Sequence, residues 1–200
     1  TMFDYEKCVP SEFYDDELSA QLFEFIEQYK IYDGREHTCF FTGHRNMPKK
    51  LTPEILRRLK ATVTYLCTKG VTDFHAGGAL GFDTLAAMQI IDLRRMYQDI
   101  RLILDLPYKN QSVKWNTNQQ RIYDFILSEA DEVRYVCDRE IDDRSEARNL
   151  LLWRNRVMVE SSLYCIAYFS GRIKSGTGYT LAFAQKNGCE IINLYDDLAE

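Results

Sequence analysis

The sequence predicts an α/β fold: a Rossmann-like, mainly parallel sheet with helices on both faces, preceded by an N-terminal helical arm. Three observations predict it. Short apolar segments alternate with helical-period segments from residue 38 onward, the pattern of repeated βαβ units. The run Leu163-Tyr164-Cys165-Ile166-Ala167-Tyr168-Phe169 is continuously apolar, as a strand covered on both faces requires. Glycine-containing loops follow three of the strands, at the edge where open parallel sheets bind their ligands.

In chain order, residues 1–14 show no periodicity. Leu18, Leu22, Phe25, Ile26 and Tyr29 then fall on one helical face with carboxylates opposite, predicting a helix over 15–30 that packs on the body or on a second copy of the chain. Asp33-Gly34 ends this arm, and the body runs from 37 to 200. Thr38–Thr42 reads as the first strand and leads into Gly43-His44-Arg45. Thr52 and Pro53 mark a helix start, as N-cap and first residue, and Gly70 closes that helix. Val71–Ala76 is the second strand. It enters Gly77-Gly78-Ala79-Leu80-Gly81, and an apolar helix follows to about Met96. Arg101–Leu106 is a third strand, Trp115, Ile122 and Ile126 mark the next helix, and Glu132–Val136 is a fourth strand. Residues 137–147 read as charged and irregular, and Leu150–Ser161 as helix. The long apolar strand then enters Ser170–Gly178, followed by a helix to Gly188 and a last strand at Glu190–Leu194.

Composition narrows the function classes. No apolar run is long enough to span a bilayer, residues 1–30 lack a signal-peptide pattern, and the six cysteines are scattered singly. The expectation is a cytoplasmic protein with reduced thiols, no metal site and no membrane partner. Residues 1–36 hold ten acidic and three basic side chains, a net of −7. Residues 37–200 hold twenty acidic and twenty-two basic, a net of +2. A near-neutral body suits a small anionic ligand better than a nucleic acid, which asks for a broad basic face.

The loops carry the chemistry. In Gly77–Gly81 the backbone approaches a ligand without a Cβ in the way, and the helix behind it presents unpaired N–H groups, so the turn is a candidate anion cradle. Asp83 is placed to cap that helix or to accept from a ribose hydroxyl. The loop Ser170–Gly178 adds Gly171, the hydroxyls of Ser175 and Thr177, the backbone of Gly176, and the cations Arg172 and Lys174. That combination suits phosphate. The standard phosphate-loop and dinucleotide fingerprints are absent: Pro48 stands where a phosphate loop needs its second glycine, and Leu181 breaks the dinucleotide pattern. His44 is the best-placed titratable group, with His75 second; His44 and Asp83 are the catalytic candidates, although a lone strand-end histidine more often ties loops together.

Four segments together resemble the SLOG superfamily, which joins the DNA-processing protein A Rossmann domain to the "lonely guy" phosphoribohydrolases, and most of all its YpsA-like branch. They are Cys39-Phe40-Phe41-Thr42-Gly43-His44-Arg45, Gly77–Ala86, Arg154-Asn155-Arg156 and Ser175-Gly176-Thr177-Gly178-Tyr179-Thr180, in the family's order. The resemblance implies a Rossmann-like domain for a nucleotide or nucleotide-derived ligand such as NAD or ADP-ribose. It implies that Gly77, Gly78, Gly81 and the loop 175–178 hold phosphate and ribose, with Arg45 and Arg156 as cationic partners. One departure stands out. The hydrolase relatives carry a glutamate where this chain has Thr180, and threonine cannot act as a carboxylate at an oxocarbenium-like centre. The charged insert Asp138–Arg148 is a second departure. The leading expectation is therefore binding or sensing of a nucleotide-like anion. An N-glycosidic hydrolase using Asp83 is the alternative, and a DNA-binding module comes third.

Overall fold

The computed structural model describes residues 33–196 and the single position Gln28. Apart from Gln28, the helix expected over 15–30 lies outside the described residues. A 3-10 turn at Arg35–His37 leads into strand β1 (Thr38–Gly43). The elements that follow are α1 (Thr52–Thr68), β2 (Asp73–Ala76), α2 (Phe82–Leu93), β3 (Arg101–Leu106), α3 (Thr117–Glu129), β4 (Glu132–Tyr135), α4 (Arg144–Ser161), β5 (Tyr164–Tyr168), α5 (Gly176–Lys186) and β6 (Glu190–Asn193). All five strand pairings are parallel, in the order β4-β3-β2-β1-β5-β6. The expected α/β sheet is present, and its parallel character is complete.

Strand order follows from where the helices pack. In β1, Cys39 and Phe41 point into one core and Phe40 into the other, the two-residue alternation of a strand covered on both sides. The first core takes Leu59 of α1, Ile90 of α2 and Ile126 of α3. The second takes Met158 of α4 and Leu181 of α5. Each fully buried phenylalanine contributes about 2–3 kcal/mol. The chain therefore winds outward from β1 along one face, and α4 carries it back across the other face to β5, beside β1. The loops after β1 and β5 leave in opposite directions, and a crevice opens between them.

Two helix starts differ from expectation. Leu51, not Thr52, occupies the cap position of α1, and the Thr52 hydroxyl donates to the Pro48 carbonyl at 3.2 Å. The last part of the charged segment before Leu150 is already helix: Asp143 accepts from the Glu146 amide at 2.8 Å and starts α4 at Arg144. The opening turn of α4 is mostly exposed, so it lacks the apolar period by which helices are recognised. Among the described residues no helix is long and apolar enough to cross a membrane, and Cys39, Cys67, Cys137, Cys165 and Cys189 are free thiols.

Candidate functional site

The crevice between β1 and β5 is a cleft of about 730 Å³. Its base is the end of β1, where Gly43 has no room for a side chain: a Cβ there would lie 2.5 Å from the side chain of Phe82. Two backbone contacts lock the neighbouring loops. The Phe82 amide donates to the His44 carbonyl at 3.1 Å, and Gly81, at φ +84°, packs so closely that a Cβ would fall 2.2 Å from the Arg45 carbonyl oxygen. Only glycine satisfies both the positive φ and that approach. His44 ties the other side: its Nε2 accepts from the Ser170 amide at 2.9 Å and lies 2.9 Å from the Ser170 hydroxyl. A ring nitrogen accepting from an amide carries no proton, so the imidazole is neutral here. Burial lowers its basicity, and the nearby Arg172 cation lowers it further.

The turn before α2 serves the chain itself. Asp83 Oδ2 accepts from the Gly77 amide at 3.1 Å and the Ala79 amide at 3.4 Å. The donors expected to cradle an anion are thus taken up by a carboxylate already present. Asp83 is buried, which pushes its pKa up, and the Arg154 cation and the two amides partly counter that shift. Arg154, 4% exposed, donates from Nη1 to the Gly77 carbonyl and from Nε to Asn155 Oδ1 at 2.9 Å. The result is a buried carboxylate and guanidinium forming one wall of the cleft.

The loop before α5 is different. Ser175 caps the helix by accepting from the Gly178 amide at 3.0 Å. The amides of Gly176 and Thr177 donate to no group among the described residues. Arg172 and Lys174 line the same wall, and Arg45 faces them from the β1 loop. Among the described residues these three side chains make no hydrogen bond or ion pair. Open donors and cations converge at the dipole-positive end of a helix.

The cleft brings together Gly43, His44, Arg45, Ala79, Asp83, Arg154, Asn155, Ser175, Gly176 and Thr177 from the sequence-derived set. It does not gather the rest. Gly77 lies behind Arg154, where a Cβ would meet the guanidinium at 2.6 Å. Gly78 faces Leu106 and Tyr123, and Gly81 lines a separate cavity. Gly171 sits between the lining residues Ser170 and Arg172. Arg156 stacks over the Phe183 ring, 4.5 Å from its centroid, rather than entering the cleft. Thr180 is buried, and its hydroxyl donates to the Gly176 carbonyl at 2.8 Å. Arg148, from the charged insert, and Leu151, Leu152, Met158 and Tyr179 also line the wall; the i, i+3 spacing of Arg148 and Leu151 becomes informative only once α4 is known to cross the switch point.

Sequence reasoning also missed a buried polar cluster across β2, β3 and β4. Asp105, fully buried, accepts from Arg134 Nε at 2.6 Å and lies 2.7 Å from His75 Nδ1. Burial pushes the Asp105 carboxyl up, but Arg134 and His75 outweigh it and hold the pKa down to about 2. The signal was an ionisable residue inside each of three strands, beyond the charged residue that opens it.

Comparison with known proteins places these features in context. The family model described as the YspA SLOG family matches residues 39–193. UPF0398 proteins of Bacillus thuringiensis (strain Al Hakam) and Bacillus cereus (strain G9842) are each 25% identical over 141 residues, covering 70% of this chain and 74% of theirs. Among solved structures, DNA processing protein A from Helicobacter pylori, described for its single-stranded DNA binding mode, aligns with a TM-score of 0.55 at 18% identity. That alignment covers 86% of this chain and 70% of that one. The Streptococcus pneumoniae DNA processing protein A aligns with a TM-score of 0.49 at 16% identity, over 77% of this chain, which spans about half (48%) of its length. Two expectations are corrected by the Helicobacter neighbour: the first ranking of small-nucleotide sensing, and the low ranking of nucleic acid as a partner. The physical reason is that net charge averages over the whole surface. The body sums to near neutrality while one sheet edge concentrates Arg45, Arg148, Arg172 and Lys174.

Proposed function

The chain belongs to the YspA SLOG family, and from that premise we propose that it binds single-stranded nucleic acid along the carboxyl edge of its sheet. The observation that carries this reading is the set of three cations, Arg45, Arg172 and Lys174, facing one cleft beside the open amides of α5. Phosphate contacts from such groups supply most of the affinity for a single strand, without sequence preference. The single-stranded DNA binding named for the Helicobacter fold neighbour supports the choice of polymer over a free nucleotide. A cytoplasmic setting with reduced thiols accords with it.

The test is fluorescence anisotropy of a labelled oligothymidylate with the full chain across a salt series. Log affinity falls linearly with log salt, with a slope of about −0.7 per phosphate contacted. Changing Arg172→Ala and Lys174→Ala together makes that slope shallower by roughly one to two contacts and leaves the melting temperature unchanged. Binding that is undetectable, or indifferent to salt, overturns the reading.

A further inference from the structure

A second cavity, of about 510 Å³, opens beside the cationic cleft at the same edge of the sheet. Arg45 and Asn46 line both. The two differ in chemistry. Met47, Leu80, Leu85 and Ile122 give the second cavity apolar walls, and Trp115 adds an indole ring. Trp115 is half-buried, and its ring meets Tyr123 edge-on with centroids 5.2 Å apart. Tyr123 is fixed in turn, because Gln111 Nε2 donates to its hydroxyl at 3.0 Å. The indole is therefore held from one side while it lines open space. Polar groups share the lining: the hydroxyls of Thr52 and Thr84 donate to the Pro48 and Ala79 carbonyls. Lys49 lines the cavity, and its side chain makes no hydrogen bond or ion pair among the described residues. Gln119 uses Oε1 to cap α3, which leaves its amide nitrogen as a donor.

A flat ring with apolar faces and polar edges fits this lining. A phosphate is held by Arg45 and Lys49, not by the indole and the apolar walls. A strand held by its phosphates at Arg45 brings an adjoining base to the mouth of the cavity, since Arg45 belongs to both walls. We propose that the cavity is a base-stacking subsite, in which a nucleobase of the bound single strand lies against Trp115. This rests on the single-strand reading above and deepens it: phosphate goes to one compartment and base to the other. Stacking on an aromatic ring tolerates any base, so the subsite adds affinity rather than sequence readout.

The chain has two tryptophans, and Trp153 is buried among Ile141, Leu150 and Val157 on the other face of the sheet. A Trp153→Phe background therefore makes Trp115 the reporter. Titrating this protein with an oligothymidylate of about twelve nucleotides quenches Trp115 emission, with the midpoint that anisotropy gives. Trp115→Ala weakens oligothymidylate binding roughly ten-fold or more. Trp115→Phe, which retains a ring, recovers most of that loss and controls for folding. An abasic oligonucleotide of equal length binds wild type and Trp115→Ala alike. If the oligothymidylate binds with the salt dependence set by Arg172 and Lys174 but leaves Trp115 emission unchanged, and Trp115→Ala binds as wild type, the subsite is overturned and the phosphate cleft stands. If no oligonucleotide binds at all, both readings fall.

Discussion

Helices α2 and α5 each follow a parallel strand and a glycine-containing turn, and their first turns line the same cleft. Their N-termini nevertheless present opposite chemistry. At α2 the second helical residue is Asp83, whose carboxylate takes the Gly77 and Ala79 amides, while the His44 carbonyl takes that of Phe82. At α5 the second residue is Thr177, and the neutral cap Ser175 satisfies only Gly178. One side of the cleft has an anion built into the chain. The other offers N–H groups and the cations Arg172 and Lys174 to an anion from outside. A glycine-rich strand-to-helix turn is thus not a phosphate site by itself; the charge of the first helical turn decides which of the two it becomes.

The largest effect belongs to the self-satisfied side. Asp83→Ala removes the carboxylate facing the buried Arg154 and strips two amides of their acceptor. Each buried amide left without its acceptor costs about 1–3 kcal/mol, and an equilibrium urea denaturation curve reads the sum directly. If the variant unfolds within about 0.5 kcal/mol of wild type, Asp83 does not hold the turn and the contrast between the helices fails.

A smaller effect belongs to the open side. Ser175→Ala removes the α5 cap and lowers stability by about 1 kcal/mol. Ser175→Asp sharpens the contrast, because it keeps a capping acceptor while setting an anion where α5 has none. Its stability does not rise, because the carboxylate cannot donate to the Arg172 carbonyl as the hydroxyl does at 2.7 Å, and its affinity for a single-stranded oligonucleotide falls. Should oligonucleotide binding survive Ser175→Asp unchanged, the phosphate does not approach this end of α5.

These contrasts show where sequence reasoning reaches and where it stops. The strand-end loops were legible because their place in the chain puts them at one edge of a parallel sheet, whatever the details of packing. Arg45, Ser175 and Thr177 could therefore be assigned to one site from sequence order alone. The fate of the Gly77 turn was not legible in the same way. Asp83 was weighed as a cap or a ribose acceptor, and choosing between them needed the backbone path that brings its carboxylate back to Gly77 and Ala79. Arg148 fell in the charged insert because α4 starts earlier than its apolar period does, and Leu151, inside the expected helix, carried no sign that its face lines the cleft. The Asp105 cluster was missed because it joins three strands separated by whole helices, and only the order β4-β3-β2 sets His75, Asp105 and Arg134 side by side.

The smallest expected effect probes the hinge between the two sides, His44. Its neutral imidazole accepts from Ser170, and both burial and Arg172 hold its pKa below the ordinary value of 6.5. Because the folded state resists protonation more than the unfolded chain, the stability His44 contributes is fully present above the unfolded value. It is lost as pH falls through the lowered folded value. Arg172→Ala removes the cation but not the burial, so the His44 pKa rises toward the ordinary value without reaching it. A proton NMR titration of the full chain resolves this, with three histidines to separate and His44→Gln to assign the resonance. An unmoved titration in Arg172→Ala means that the guanidinium does not face the imidazole, and the cationic rim then loses one of the three side chains on which phosphate binding is argued. A pKa that rises as stated places Arg172 over the cleft in solution, on the side that α2 leaves to its own carboxylate and α5 leaves open.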